Sequence, residues 1–181
     1  MIRGKLTGLR AIEKDDLALL RDWRNNAAFR RNFREVRELN LINQETWFNK
    51  TSSNPNDFMF MVVDLKNNEP IGAAGLLYTN WIIRSSDFSF YIGRDNLYID
   101  NEGFALDAAQ TLIEYGFNNL NLNKIWMELY EFDNAKINFF IENFHFHKDG
   151  LLRQNCFEDG KYWNSHVISL LKEDFKNNGD K

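Results

Sequence analysis

The stretch from 57 to 130 constrains the fold more than any other part of the sequence. Three extended runs follow one another closely: "DFMFMVVDL" (57–65), "IGAAGLLYTNW" (71–81) and "SSDFSFYIG" (85–93). The turn "KNNEP" joins the first two into a hairpin. The third run alternates, which sets Phe88, Phe90 and Ile92 on one face and Asp87 and Ser89 on the other. A helix-periodic segment beginning near Gly103 then leads to a fourth extended run, "KIWMELY" (124–130). A meander of antiparallel strands followed by a parallel, right-handed strand–helix–strand crossover makes a mixed α/β sheet. Ligands in such sheets tend to sit where neighbouring strands diverge, beside a helix N-terminus.

The flanks complete the pattern. "KLTGLRAI" (5–12) alternates as a first strand, and "KDDLALLRDWRNN" puts Leu17, Leu20 and Trp23/Arg24 at helical spacing, with Asp15 or Asp16 to cap it. "RNFREVRELN" is irregular or helical, and "NQETWFNKT" is a second short helix. After residue 130 come a helix over 133–143 and a closing hairpin around "EDGK". The expected fold is α/β (α+β): a mixed, mostly antiparallel sheet of about seven strands with flanking helices. One domain spans 1–181, with a frayed tail over 172–181. Apolar residues at 44% and aromatics at 15% supply a core for one domain.

Charge and cysteine usage narrow the function. A net charge of -4 argues against a nucleic-acid partner. The lone Cys156 excludes an internal disulfide framework and a CxxC metal site, and His145 and His147 lack a third ligand nearby, so no metal is expected. No apolar run is long enough to span a bilayer and no N-terminal stretch has the long apolar core of a signal peptide, which points to a cytoplasmic protein without a membrane partner.

Across nearly its whole length the sequence resembles the GNAT superfamily of acetyl-CoA-dependent N-acetyltransferases. Within it, the likeness is to the branch of ribosomal-protein and sugar-nucleotide amine acetyltransferases. The resemblance rests on "GLRAIEKDDLALLRDWRNN", "IGAAGLLYTNW" with "SSDFSFYIG", the segment from "GFALDAAQ" to "FFIENFHF", and "DGLLRQNCFEDGKYWNSHVISLL". It implies the acyl-CoA N-acyltransferase fold, acetyl-CoA as co-substrate, and direct attack by a primary amine in a ternary complex. The amine could belong to a small molecule, an amino sugar or a protein N-terminus. Relatives often pair, so a homodimer is an open expectation.

Residue by residue, the resemblance implies a pantetheine arm bonded to the strand end at Tyr91, Ile92 and Gly93. It places the pyrophosphate on the loop and helix start at Asn101, Gly103, Phe104 and Ala105. The family's Gln/Arg-x-x-Gly-x-Gly/Ala pattern falls on residues 98–103, where only Gly103 matches. Unpaired N–H groups and the helix dipole still attract phosphate there, while Asp100 and Glu102 oppose it or cap the helix. Asn101 could equally be a plain cap. Phe104, Ala108, Leu112 and Tyr115 form the expected core stripe of this helix. Asn134 matches a pantetheine-contacting Asn, or is an N-cap. The Tyr that many relatives use to protonate the thiolate is replaced by Ile141, and the usual Gly by His145.

For the chemistry, a carboxylate with water could collect the amine proton. Asp87 is the first candidate and Glu35 the second, each alternatively an ordinary surface acid. The thioester carbonyl would be polarised by a backbone N–H near Tyr91 and Ile92. The stretch 21–37 holds six arginines against Asp22 and Glu35, with Glu38 just beyond. From it, Arg31 and Arg34 are the expected grips on a phosphate or carboxylate of the acceptor, with Trp81 and Arg84 as an aromatic wall and second cation. The alternative is a catalytically weak or inactive acyl-CoA-binding module, favoured by the glycine-poor loop and Ile141.

Overall fold

The computed structural model describes residues 1–179, with side-chain surroundings up to Lys176. Its strands are β1 (Ile2–Arg3), β2 (Thr7–Ala11), β3 (Phe58–Asp64), β4 (Pro70–Asn80), β5 (Ser85–Ile92), β6 (Lys124–Tyr130), β7 (His147–Glu158) and β8 (Lys161–Leu171). The α-helices are α1 (Leu17–Arg24), α2 (Leu41–Ser53), α3 (Phe104–Glu114), α4 (Asn134–Phe144) and α5 (Lys172–Gly179). The strands bond in the order β1-β2-β3-β4-β5-β6-β8-β7. The pairs β1–β2, β2–β3, β3–β4, β6–β8 and β7–β8 are antiparallel, and β5–β6 is parallel. The mixed, mostly antiparallel sheet thus has eight strands rather than about seven. The extra one is the two-residue β1, too short to show a period. Residues 172–179 are helical rather than frayed, and the rest of that tail lies outside the described residues.

Packing divides the chain into two compact units. The first comprises Met1–Tyr78 and Ser89–Leu112; the second comprises Thr79–Phe88 and the chain from Ile113 onward. In the first unit the inner face of α1 (Leu17, Leu20, Trp23) packs with Phe29, Met61, Val63, Ala73, Tyr91 and Tyr98. Burying such large side chains contributes about 1.5–3 kcal/mol apiece. A short 3-10 turn, Lys14–Asp16, precedes α1, and Asp16 ties it back by accepting from the Glu13 N–H (2.8 Å) and from Arg10 (2.7 and 2.8 Å). The segment read as irregular or helical is a 3-10 turn at Arg30–Asn32 followed by loop.

Gly93 ends β5 for a steric reason. A Cβ there would lie 2.1 Å from the Trp23 indole, and the Gly93 N–H already donates to the Ile71 carbonyl (2.9 Å). Overpacking at such a site costs about 1–3 kcal/mol. Gly93→Ala should therefore lower the melting temperature by roughly 5 °C, measured by calorimetry; an unchanged melting temperature would show that Trp23 can move aside.

The α3 stripe is shifted from its expected position. Ala105, Ala108, Ala109, Leu112 and Ile113 are the buried apolar residues, whereas Phe104 and Tyr115 are only half-buried. Phe104 instead packs under the Arg94 guanidinium, 4.5 Å from its ring centroid, and a π-helical turn at Tyr115–Asn119 resets the phase. In the second unit, Phe88, Phe144 and Phe146 surround Phe140 at ring separations of 5.3–5.6 Å. His145 closes α4 in the left-handed region (φ 58°), a position that favours glycine.

Candidate active site

The first unit holds a cavity of about 340 Å³. Leu20 and Arg24 of α1, Glu35, Arg37 and Leu39 of the α1–α2 connection, and Asn43, Gln44, Trp47 and Lys50 of α2 line it, with Met59, Ala73 and Leu77. Ser89 and Tyr91 come from β5, because the pleat turns the odd-numbered side chains of that strand toward α1 and α2. An apolar wall with a few polar groups at this volume suits a small organic molecule.

The charges around it are unequal. Arg24, Arg37 and Lys50 face Glu35 alone. Glu35 is already taken: Arg37 donates to both its oxygens (2.9 and 2.6 Å), and those bonds hold its carboxyl down at about 2. Arg24 has no such partner among the described residues. Its Nε is buried and makes no hydrogen bond among the described residues, and its guanidinium stacks 4.1 Å from the Phe33 ring centroid. Burial pulls its pKa below the ordinary arginine value, against the pull of Tyr91 and Glu35. A half-buried cation whose Nε is buried without an acceptor costs stability unless something else occupies that place. Beside it, burial pushes the Tyr91 hydroxyl up to about 12, so the phenol keeps its proton and can donate.

The basic island is therefore resolved into individual roles. Arg21 pairs with Asp22 (2.6 Å), Arg30 with Glu38, and Arg37 with Glu35. The expected anion grips Arg31 and Arg34 are not among the residues lining the cavity; Arg24, Arg37 and Lys50 are. The sequence did signal Arg24: it falls one turn after Leu20, on the apolar face of α1. Trp81 and Arg84 lie in the second unit at the exposed β4–β5 turn, where the Arg84 carbonyl accepts from Asn123 (2.6 Å) and Lys124 (3.1 Å). Asp87 is also in the second unit. It is 5% exposed and sits opposite Trp126, in the last of the three residue pairs that join β5 to β6. Glu35 is thus the one acid candidate that reaches the cavity.

The loop before α3 departs from the expected phosphate cradle. Asp100 is the cap, not Asn101. Its carboxylate accepts from the N–H groups of Glu102 (2.7 Å), Phe104 (3.0 Å) and Ala105. It is 7% exposed, whereas Asn101 lies at the surface. Hydrogen bonds to a charged group contribute about 1.5–3 kcal/mol each, so this carboxylate is firmly held. The Phe104 and Ala105 amides are consequently occupied by the chain itself. So is the Ile92 N–H, which bonds the Tyr98 carbonyl (2.9 Å) in an isolated bridge and is not free to polarise a carbonyl. In the second unit Asp133, not Asn134, caps α4; Asn134 is exposed at its first position.

Asp107, one turn into α3, plays a part that no motif announces. It accepts from the N–H groups of Lys5 (2.8 Å), Leu6 (2.9 Å) and Thr7 (2.8 Å) and from the Thr7 hydroxyl (2.7 Å). It thereby ties the β1–β2 turn to α3. Among the described residues no group of three or more His, Cys, Asp or Glu could hold a metal, and no helix is long and apolar enough to cross a membrane.

Known proteins share this architecture. Residues 7–145 match the family model described as an acetyltransferase (GNAT) domain. The spermidine N(1)-acetyltransferase of Vibrio cholerae is 27% identical over 172 residues, which is 95% of this chain and 96% of that protein. The Escherichia coli K12 enzyme of the same name is 26% identical over 167 residues, covering 92% and 87%. The crystal structure of the Vibrio cholerae spermidine N-acetyltransferase in complex with CoA and spermine superposes with a TM-score of 0.84 at 26% identity, covering 95% of this chain and 99% of that one. Another form of the Vibrio cholerae enzyme, described as dodecameric, gives 0.77. The chain belongs to the GNAT acetyltransferase family and is an acetyl-CoA-dependent N-acetyltransferase acting on an amine.

Proposed function

We propose that the acceptor is a small primary amine bearing a carboxylate or a phosphate, and that it binds in the cavity between α1, α2 and β5. One observation carries this reading: Arg37 pairs with the single carboxylate lining that cavity, Glu35, which leaves the positive charges of Arg24 and Lys50 in excess there. A polyamine such as the spermine of the Vibrio cholerae complex brings several positive charges and needs acidic partners. Arg24 and Lys50 repel it, whereas a guanidinium fork fits a carboxylate or phosphate.

The chemistry follows from the same groups. With both substrates bound, the neutral amine attacks the thioester carbonyl; the C–N bond forms, the C–S bond breaks, and the thiolate leaves. A thiol with a reference pKa near ~8.5 leaves without obligatory protonation by a side chain. Glu35, held at about 2, is a poor base at neutral pH, and Tyr91 retains its proton. The amine proton therefore passes to water. Nearby positive charge on Lys50 and Arg24 favours the neutral amine as it binds. Holding the two reactants together supplies much of the remaining acceleration.

A thiol-release assay with acetyl-CoA across an amine panel tests the reading. Amino-sugar phosphates and amino acids should be acetylated with a kcat/KM at least tenfold above that of spermidine. Spermidine as the better acceptor would overturn the charge argument and leave acetyl transfer intact.

A further inference from the structure

We infer that the Gln44 carboxamide and the Tyr91 hydroxyl form a specificity pair that reads a hydroxyl group on the acceptor, so that the amine is a hydroxylated ring compound and not a plain alkylamine. The inference deepens the proposed acceptor site and rests on it. Among the described residues of α2, Gln44 is the one that is buried, at 5% exposure, while Ile42 of the same helix is 71% exposed. A helix packed only for stability turns its apolar residues inward. Here an amide takes the inner position, and its side chain makes no hydrogen bond among the described residues.

Tyr91 repeats the pattern on β5. It is 3% exposed, its ring packs against Trp23, Phe29 and Phe33, and its hydroxyl has no hydrogen-bond partner among the described residues. Leaving a buried amide or hydroxyl without a partner costs stability, so each such group calls for an explanation. Both residues line the acceptor cavity. Neither group is sealed from open space as the Arg24 Nε is, and the open space that both residues line is that cavity. Tyr91 keeps its proton and donates, whereas a carboxamide both donates and accepts. A hydroxyl is the small group that answers both, because it donates once and accepts twice. Trp47, Leu20 and Met59 supply an apolar wall against which the C–H face of a sugar-like ring can pack. Arg24 and Lys50 take the anion; Gln44 and Tyr91 distinguish among the amines that carry one.

Two matched pairs of amines test the assignment in a thiol-release assay with acetyl-CoA. Glucosamine 6-phosphate and 5-aminopentyl phosphate share their charges and the carbon span between them but differ in hydroxyls. Glucosamine and cyclohexylamine differ in the same way without the anion. The hydroxylated member of a pair should have a kcat/KM at least about tenfold above its partner, because a site with groups awaiting a substrate hydroxyl rejects the analogue that lacks it. A preference below tenfold in both pairs would mean that water alone satisfies these groups, and would overturn the inference. Gln44→Met keeps the length of the side chain and its helix propensity. It should cut the preference about tenfold and unfold at the wild-type temperature or above it, since no internal hydrogen bond is lost. An unchanged preference in this variant would show Gln44 to be structural and would also overturn the inference. Should it not fold, Tyr91→Phe decides by the same ratio. The anion reading fails separately: glucosamine acetylated as well as glucosamine 6-phosphate would remove it, while a preference for glucosamine over cyclohexylamine would still uphold the pair. No turnover with any of these amines would overturn both.

Discussion

Arg24→Gln should lower kcat/KM for an anion-bearing amine by about 10- to 100-fold, the equivalent of one hydrogen-bonded charge at about 1.5–3 kcal/mol. The loss should appear mainly in KM, because the anion is held equally in the ground state and the transition state. An amine without an anion should be much less affected. The same variant should unfold at the wild-type temperature or above it. Arg24 is half-buried, its Nε is buried without a hydrogen-bond partner among the described residues, and its guanidinium stacks on the Phe33 ring. Gln keeps much of the aliphatic stem and removes a half-buried charge whose Nε has no acceptor. A purely structural arginine would give the opposite pattern: a lower melting temperature and equal losses for charged and neutral acceptors. Kinetics on two acceptors plus one calorimetric scan distinguish these cases.

Asp107→Ala should destabilise the protein by about 2–3 kcal/mol, close to the cost of leaving one or two donors without a buried charged acceptor. Four donors lose their acceptor at once. Lys5 and Leu6 lie at the surface and can rehydrate, whereas Thr7 is 0% exposed and cannot, which keeps the figure below the sum of four bonds. For a chain of this length the melting temperature should fall by roughly 5–10 °C. The pH dependence gives an independent check. Burial alone would raise the Asp107 carboxyl, but the hydrogen bonds from Thr7, Lys5 and Leu6 outweigh it and hold the pKa below the usual carboxylate value. The stabilisation is thus fully present above the unfolded value of about 3.9 and is lost as pH falls through the lower folded value. The variant should lack this contribution to the acid limb, so its stability relative to wild type should converge below about pH 4. A constant gap down to pH 2 would contradict that assignment.

Local pattern made much of the fold legible. Strand β6 and the start of β5 lie where the extended runs put them, because a two-residue period is visible within a single strand. Helix α4 begins at Asn134, one residue after the expected start, with Asp133 as its cap, since an acid or amide before an apolar run satisfies the orphan amides in either register. The shift of the α3 stripe was not legible. It arises from the Arg94–Phe104 stack and the π-helical turn, which come from different parts of the chain or from a change of helical phase.

The site divides along the same line. The sequence marked the arginine-rich stretch, the glycine-poor loop and the acid at position 35, because charge and glycine content are local properties. It could not say which arginine stays unpaired. That depends on Asp22, Glu35 and Glu38 pairing with Arg21, Arg37 and Arg30, which among the described residues leaves the Arg24 Nε without an acceptor. Nor could it distinguish Asp100 pointing away from the helix start from Asp100 folded into it, since both rotations share one sequence and only the packed loop selects between them. Composition and period thus determined the element types and their order. The pairing of charges and the direction of each carboxylate were decided by tertiary structure, because a hydrogen bond depends on distance and angle between groups as far apart as Thr7 and Asp107.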